Sequence, residues 1–401
     1  MNADKRWLIY NVNIVLEDRT IAGGLLVRNG NIERVVAESE LDSAGRIEGE
    51  PVERIDGGGG WLLPGFIDLH VHGGYGGDFM NADRASYDRI TKFHASQGTT
   101  GMLATTMTAS KEALEAVLEA VWQYRDGQMP YAALLGVHLE GPFISERWPG
   151  AQNPAYISDP QPAWLQQWSR SYPQLIRLLT LAPEKDGAAE TIAWLASEGI
   201  VAAAGHTDAR YDDILAAADA GLTHAVHTCN AMRGLHHREP GTLGAVLTDD
   251  RIYAEIIADG EHVHPAVIRL ILKSKPADKV VLVTDAIEAA GMPDGDYELG
   301  GLPVVVRNGT ARLKEGNALA GSSLSMIRAV RYVLEHTDLS IAEVSRMASG
   351  NPARELGLYG VTGSIAAGKQ ADLVWTDASL NVKRTWVGGR TVFDAEAPAS
   401  T

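Results

Sequence analysis

Pro64-Gly65-Phe66-Ile67-Asp68-Leu69-His70-Val71-His72-Gly73-Gly74 is the stretch on which the fold turns. It is an apolar run that ends in two histidines one residue apart, and it has the pattern of a β-strand. Side chains two apart on a strand share a face, so His70 and His72 project together from its C-terminal end as a pair of metal donors. A His-x-His pair is often structural, so the reading depends on partner residues elsewhere in the chain.

Between Phe66 and about Asp285, eight short apolar runs alternate with helix-length amphipathic stretches. The runs end near His72, Thr105, Glu140, Leu181, His206, Thr228, Asp259 and Asp285. Eight alternating units predict an α/β chain folded as a (β/α)8 TIM barrel, with functional residues at the C-terminal ends of the strands. Gly291 to Gly321, rich in glycine and short strand patterns, predicts an insertion that closes over the barrel mouth; Met326 to Leu356 reads as helical, and Gly363 to Gly368 as a linker. At the N-terminal end, Trp7 to Tyr10, Asn13 to Leu16 and Leu25 to Val36 have strand patterns, and Asn29-Gly30 is a hairpin signal. Strand patterns return at Ala371 to Trp375 and Lys383 to Phe393. The two ends are expected to pair into one small β-domain, 1–60 with 361–401, flanking a barrel domain at 61–360.

At 401 residues and 45% hydrophobic content, the chain exceeds one simple domain. Met1 to Arg6 show no basic segment and apolar core of a leader, and no apolar run approaches the ~18 residues of a membrane span, so a cytoplasmic protein without a membrane partner is expected. The single cysteine, Cys229, excludes an intrachain disulfide framework and a Cys-rich zinc site. Any metal must therefore be held by histidine and carboxylate. A net charge of −16 argues against a nucleic-acid partner. A small anionic substrate remains compatible, because charges beyond the ~10 Å Debye length are largely screened.

Five of the eight strand ends carry a donor: His70 with His72, Glu140, His206, His227 and Asp285. Glu140 shares a strand face with His138 and can bridge two cations through its two oxygens. His224, three residues before His227, is expected on the opposite side in a structural role. An aspartate at a strand end can be a helix cap. As the last member of this rim, Asp285 is expected to be catalytic. Cys229 reads as a packing residue rather than a nucleophile.

The motifs His138-Leu139-Glu140-Gly141-Pro142-Phe143, Ala204-Gly205-His206-Thr207, His227-Thr228-Cys229-Asn230-Ala231-Met232, Arg238-Glu239-Pro240-Gly241, Ile257-Ala258-Asp259-Gly260-Glu261-His262-Val263 and Leu319-Ala320-Gly321-Ser322-Ser323 occur in that order. Together they resemble the N-acetylglucosamine-6-phosphate deacetylases of the amidohydrolase superfamily, over essentially the whole chain. The resemblance implies a barrel with a flanking β-sandwich, hydrolysis of an N-acetyl amino sugar phosphate, and one or two divalent metals per subunit. Zinc is the expected ion, with Fe2+ and Mn2+ compatible with the same donors. By motif, Glu140, His206 and His227 hold the principal metal, and His70, His72, Glu140 and Asp285 a second.

The same resemblance assigns the phosphate to Arg238 and His262, with Arg238 reaching in from the neighbouring subunit of a homodimer. It lines the sugar pocket with Asn230, Ala231, Ala151, Asp259 to Glu261, Leu319, Ala320 and Gly321, and leaves His236 and His237 on the surface. One position departs from the family: Gln152 stands where a carbonyl-polarising histidine is common. Gln152 can donate a hydrogen bond but carries no positive charge, so more of the polarisation is expected to fall to the metal. Two alternatives stay open at this level. One is another amidohydrolase, such as a dihydroorotase, hydantoinase or D-aminoacylase, several of which use a carboxylated lysine for which Lys185 is the nearest candidate. The other is a catalytically silent scaffold of the same fold. The gluco or galacto configuration of the sugar is also undecided.

Overall fold

The computed structural model describes residues 6–41 and 52–397. The reading of Met1 to Lys5, and the parts of the end-domain ranges at 42–51 and 398–401, lie outside the described residues. Eight parallel strands form the central sheet: β1 (Phe66–Val71), β2 (Thr99–Thr106), β3 (Ala133–Glu140), β4 (Ile176–Leu181), β5 (Val201–Ala204), β6 (Leu222–Ala225), β7 (Tyr253–Ile257) and β8 (Val280–Val283). They neighbour one another in sequence order. Just past the strand ends the first and last meet: the Asp285 amide donates to the His70 carbonyl at 2.8 Å, and Val71 bridges to Ala286 in parallel. The sheet is therefore a closed (β/α)8 barrel.

The strands follow from their composition. Every residue of β1 and of β2 is buried, as expected for parallel strands covered on both faces. A helix follows each strand: α1 (Arg84–Ser96), α2 (Lys111–Asp126), α3 (Pro162–Ser171), α4 (Ala188–Ser197), α5 (Tyr211–Ala220), α6 (Gly241–Thr248), α7 (Pro265–Ser274) and α8 (Met326–His336). Helix α2 shows the local logic. The Ser110 side chain accepts from the Ala113 amide as an N-cap, worth about 1 kcal/mol. Leu114, Val117, Leu118, Val121 and Tyr124 then bury one stripe at helical spacing against the barrel.

Both chain ends contribute to one seven-stranded sheet, in the order 390–394, 382–387, 373–376, 53–64, 6–15, 20–28, 31–37. Two strands, 373–376 and 53–64, lie between the one carrying Trp386 and the one carrying Trp7, yet the two rings stack with centroids 5.0 Å apart. In a flat sheet strands stand about 4.8 Å apart, so the sheet must fold over on itself to bring these rings together. Ile9, Ile14, Leu25, Val27 and Leu373 fill the space with the two tryptophans. The Asn29-Gly30 turn has the expected left-handed pair, φ 51° and 81°. One detail differs from the sequence reading. The two segments around Tyr10 are a single strand, Arg6–Val15, whose register shifts between Ile9 and Val12 at Asn11, φ 55°.

The predicted insertion is a three-stranded antiparallel sheet, 295–299, 302–307 and 310–313. Leu299, Val304, Val306, Ala311 and Ala320 pack it onto Met107 and Ile287 at the barrel mouth. Beyond α8, short helical segments at 341–345, 346–350 and 351–355 complete the chain's return. Among the described residues, no helix is long and apolar enough to cross a membrane.

Candidate active site

The five strand ends converge. His206 and His227 each place Nε2 3.1 Å from Glu140 Oε1, and the two Nε2 atoms are 3.1 Å apart. Their other ring nitrogens face backbone carbonyls, His206 Nδ1 that of Trp148 at 2.9 Å and His227 Nδ1 that of Asn230 at 3.2 Å. Only an N–H can satisfy those carbonyls, which leaves both Nε2 atoms as lone pairs in the neutral rings. Two lone pairs and a carboxylate oxygen then point at one another with no proton among them. Such a set of acceptors fits a cation.

A second triad shares the same carboxylate. His70 Nε2 lies 3.3 Å from Glu140 Oε1 and 3.5 Å from Asp285 Oδ1, while His72 Nε2 lies 3.2 Å from Glu140 Oε2 and 3.2 Å from Asp285 Oδ1. His70 Nε2 is a buried ring nitrogen without a hydrogen-bond partner. The groups His70, His72, Glu140 and Glu140, His206, His227 are both buried, with ligand atoms close enough to hold an ion. Burial opposes charge on His72, but Asp285 and Glu140 outweigh it and hold its pKa up at about 9. Burial would likewise raise Glu140, but His70, His206 and His227 hold it well below the usual carboxylate range. The floor of the site favours positive charge.

Backbone geometry adds to this. His206, His227 and Asp285 adopt φ of 48°, 32° and 49°. Left-handed conformations at non-glycine residues cost on the order of 1–3 kcal/mol each and persist where the surroundings over-determine them. All three lie just beyond a strand end, and the turn aims each side chain into the barrel mouth.

A cavity of about 370 Å³ opens above these groups, within the usual range for a small-molecule site. Ala151, Gln152, Asn230, Ala231, His262, Leu319 and Gly321 all line it. Asp259 does not, and acts behind His262, its Oδ2 lying 2.7 Å from Nδ1 and its Oδ1 accepting the His262 amide. Ala320 is buried in the apolar cluster of the insertion. Arg238 lies outside the cavity on an exposed loop, 2.6 Å from His237 Nε2, with His236 and His237 beside it on the surface. Gln152 is engaged at both ends of its amide: Nε2 donates to Glu140 Oε2 at 2.6 Å and Oε1 accepts from the Thr108 amide at 2.7 Å. It orients the shared carboxylate more directly than it faces the cavity. Lys185 pairs with Glu146 and Asp159 at the surface, away from the centre.

Two buried acids beneath the site, Asp68 and Glu255, escaped the sequence reading. Asp68 accepts from the Thr284 hydroxyl at 2.6 Å and the Thr284 amide at 3.3 Å, tying β1 to β8 under the site; burial lifts its pKa to about 7. Glu255 on β7 accepts from His70 Nδ1 at 2.8 Å and from the His227 amide at 3.0 Å. The available signal was a single acid inside each apolar strand run. His224, expected on the opposite side, is buried and reaches both Glu255 and Glu355.

Against known proteins, residues 61–392 match the amidohydrolase family. The chain belongs to that family. It is 37% identical to the N-acetylglucosamine-6-phosphate deacetylase of Bacillus subtilis (strain 168), over 96% of this chain and 97% of the relative. It is 41% identical to the N-acetylgalactosamine-6-phosphate deacetylase of Escherichia coli O157:H7, over 86% and 91%. Among solved structures it is similar to a mutant N-acetyl-D-glucosamine-6-phosphate deacetylase from Mycobacterium smegmatis in complex with N-acetyl-D-glucosamine-6-phosphate. The TM-score is 0.88 at 34% identity, covering 98% of this chain and all of the other.

Proposed function

We propose that this amidohydrolase removes the acetyl group of N-acetylglucosamine-6-phosphate, giving glucosamine-6-phosphate and acetate. The observation that carries the reading is the pair of buried ligand triads sharing Glu140, set beside Asp285 under a cavity of sugar-phosphate size. The likeness to relatives of that activity over the whole chain supports the substrate. Glu140, His206 and His227 would hold one divalent ion, zinc by the nature of its donors and Fe2+ or Mn2+ as substitutes; His70 and His72, with Glu140 and Asp285, would hold a second. A cation bound there supplies a nucleophile at neutral pH, by lowering the pKa of a water from 15.7 to about 7.

The residues of the chain do the rest. Burial would raise Asp285, but His70 and His72 outweigh it and keep it an anion, so it can take a proton from the attacking water. Addition of hydroxide to the acetyl carbonyl gives a tetrahedral carbon. When its C–N bond breaks, Asp285 returns that proton to the departing nitrogen, and the hydroxyl proton left on the acid passes to the amine, so acetate and the ammonium form of the amino sugar leave with Asp285 restored. Gln152 holds Glu140 in place. His262, turned by Asp259, and the backbone around Asn230 and Ala231 face the sugar phosphate, and Leu319 and Gly321 of the insertion border it.

The proposal extends to the assembly. Arg238 is exposed, and its neighbour Leu235 is 56% exposed on the same loop. Both features support a homodimer in which Arg238 serves the partner's phosphate. We divide the chain into an end domain, 1–60 with 361–401, and a barrel domain, 61–360. A sugar phosphate is retained within the cell by its charge, which supports a cytoplasmic location. Acetate release from N-acetylglucosamine-6-phosphate by metal-analysed protein tests the reading. N-acetylgalactosamine-6-phosphate is the second substrate to assay, because the 41% identical relative carries that name.

A further inference from the structure

Below the two triads, a chain of buried ionisable groups runs down the barrel axis. Glu255 Oε1 receives His70 Nδ1 at 2.8 Å and the His227 amide at 3.0 Å, so one oxygen touches a residue of each triad. Glu255 Oε2 lies 2.9 Å from His224 Nε2, and His224 Nδ1 lies 2.9 Å from both oxygens of Glu355. The side chains of His70, Glu255 and His224 are 0% exposed, and that of Glu355 is 2% exposed. Glu355 ends the short helix Asn351–Glu355, whose Asn351 side chain donates to the carbonyls of Ala277 and Val280 at the start of β8. The helix therefore sits under the barrel floor, and the chain spans from floor to mouth.

Barrel interiors are normally filled by layers of branched apolar side chains. A buried set of charges is at best weakly stabilising against apolar packing of the same volume, because its desolvation offsets its Coulomb attraction. What apolar packing cannot do is fix the tautomer and tilt of an imidazole. Metal-binding histidines are held in that way by an acceptor on the second ring nitrogen.

We propose that Glu255, backed by His224 and Glu355, is a positioning residue that sets both metal half-sites at once, through the ring of His70 and the backbone of His227. With Nδ1–H committed to Glu255, His70 turns the lone pair of its unpartnered Nε2 toward Glu140 and Asp285. The His227 amide bond holds that residue in its left-handed conformation, φ 32°. His224, itself held by Glu355, clamps the other oxygen, so Glu255 is fixed at both ends. The inference rests on the metal reading above.

The test is zinc affinity, by competition with a chromogenic chelator, together with the visible spectrum of the Co2+-loaded protein, for wild type, Glu255→Gln and Glu355→Gln. Glu255→Gln is expected to weaken zinc binding about 10–100-fold and to change the Co2+ bands; Glu355→Gln, three links from the nearest ligand, should do so by a smaller factor. Melting of each variant in chelator reports the purely structural share. Wild-type zinc affinity and Co2+ spectra in both variants, whatever their melting temperatures, would overturn the proposal. If Glu255→Gln does not fold, unchanged affinity in Glu355→Gln overturns it alone. Failure of wild type to take up zinc or Co2+ would instead overturn the metal reading.

Discussion

In the proposed reaction Asp285 is the residue on which the chemistry depends, and its surroundings are legible in part from sequence. Its place after Val283-Thr284 at a barrel strand end points to function, and the structure adds its contact with both histidines of the first strand. Asp285→Asn keeps the shape and removes the base. It should lower kcat by about 10²–10⁴-fold with little change in KM, read by steady-state acetate release. Cys229 lies within the same motif as His227, and burial pushes its thiol up to about 11, away from nucleophilic use. Cys229→Ala should leave turnover within about twofold, and a larger loss would give the thiol a role. The acids missed from sequence, Asp68 and Glu255, show the limit of one-dimensional reading: each sits mid-strand among apolar residues, where pattern alone registers only an interruption. Gln152 shows another limit. Its amide was legible as a donor, but its engagement with Glu140 depends on a loop that closes 12 residues later.

Among the elements, the strand ends were the most readable part, because their apolar runs are short, buried and bounded by polar or glycine residues. The turns that follow them were not readable. Nothing in the residue types of His206, His227 or Asp285 announces a left-handed conformation, which the closed barrel imposes on them. The insertion that caps the mouth was visible as a glycine-rich strand pattern, while its packing on Ile287 and Met107 was not. Gly321 carries the join. It has φ 54°, and a Cβ there would lie 2.5 Å from Ile287 Cγ2 and 2.8 Å from the Asp285 carbonyl. Gly321→Ala must therefore displace the insertion or Asp285. The expected result is a loss of about 1–3 kcal/mol in stability, measured by urea unfolding, with a fall in kcat.

For the whole molecule, one buried ring makes a separable contribution to the acid response, opposite in sign to that of buried Asp68. His94 on α1 faces the Gly73 carbonyl at 3.0 Å, and burial depresses its pKa from 6.5 to about 4. Between those values the unfolded chain binds a proton that the native ring does not. Its stabilising contribution is thus complete above about pH 6.5 and is lost as pH falls toward 4, on the order of 3 kcal/mol in all. On going from pH 7.5 to pH 5, the urea midpoint of His94→Gln should rise relative to that of wild type, and an unchanged difference between the two would remove His94 from the acid response. The pairing of the two chain ends was legible from their strand patterns, but the folding over of their shared sheet appears only through Trp7 and Trp386. The subunit arrangement has its own test. Mixed dimers of Arg238→Ala with Asp285→Asn chains contain one site with both residues intact, so mixing two inactive variants should restore activity. No recovery, with exchange of subunits demonstrated, would place Arg238 outside the partner's site.

The central claim is a cation-dependent deacetylase site built on Glu140. The most direct measurement is acetate release from N-acetylglucosamine-6-phosphate by metal-analysed protein, before and after chelation and after zinc is restored, with unphosphorylated N-acetylglucosamine alongside. The account predicts bound divalent metal, rapid turnover that requires the 6-phosphate, its loss on chelation and its return with zinc. Full turnover in protein stripped of metal, or bound metal with no acetate released from this substrate or its galactosamine epimer, would contradict it.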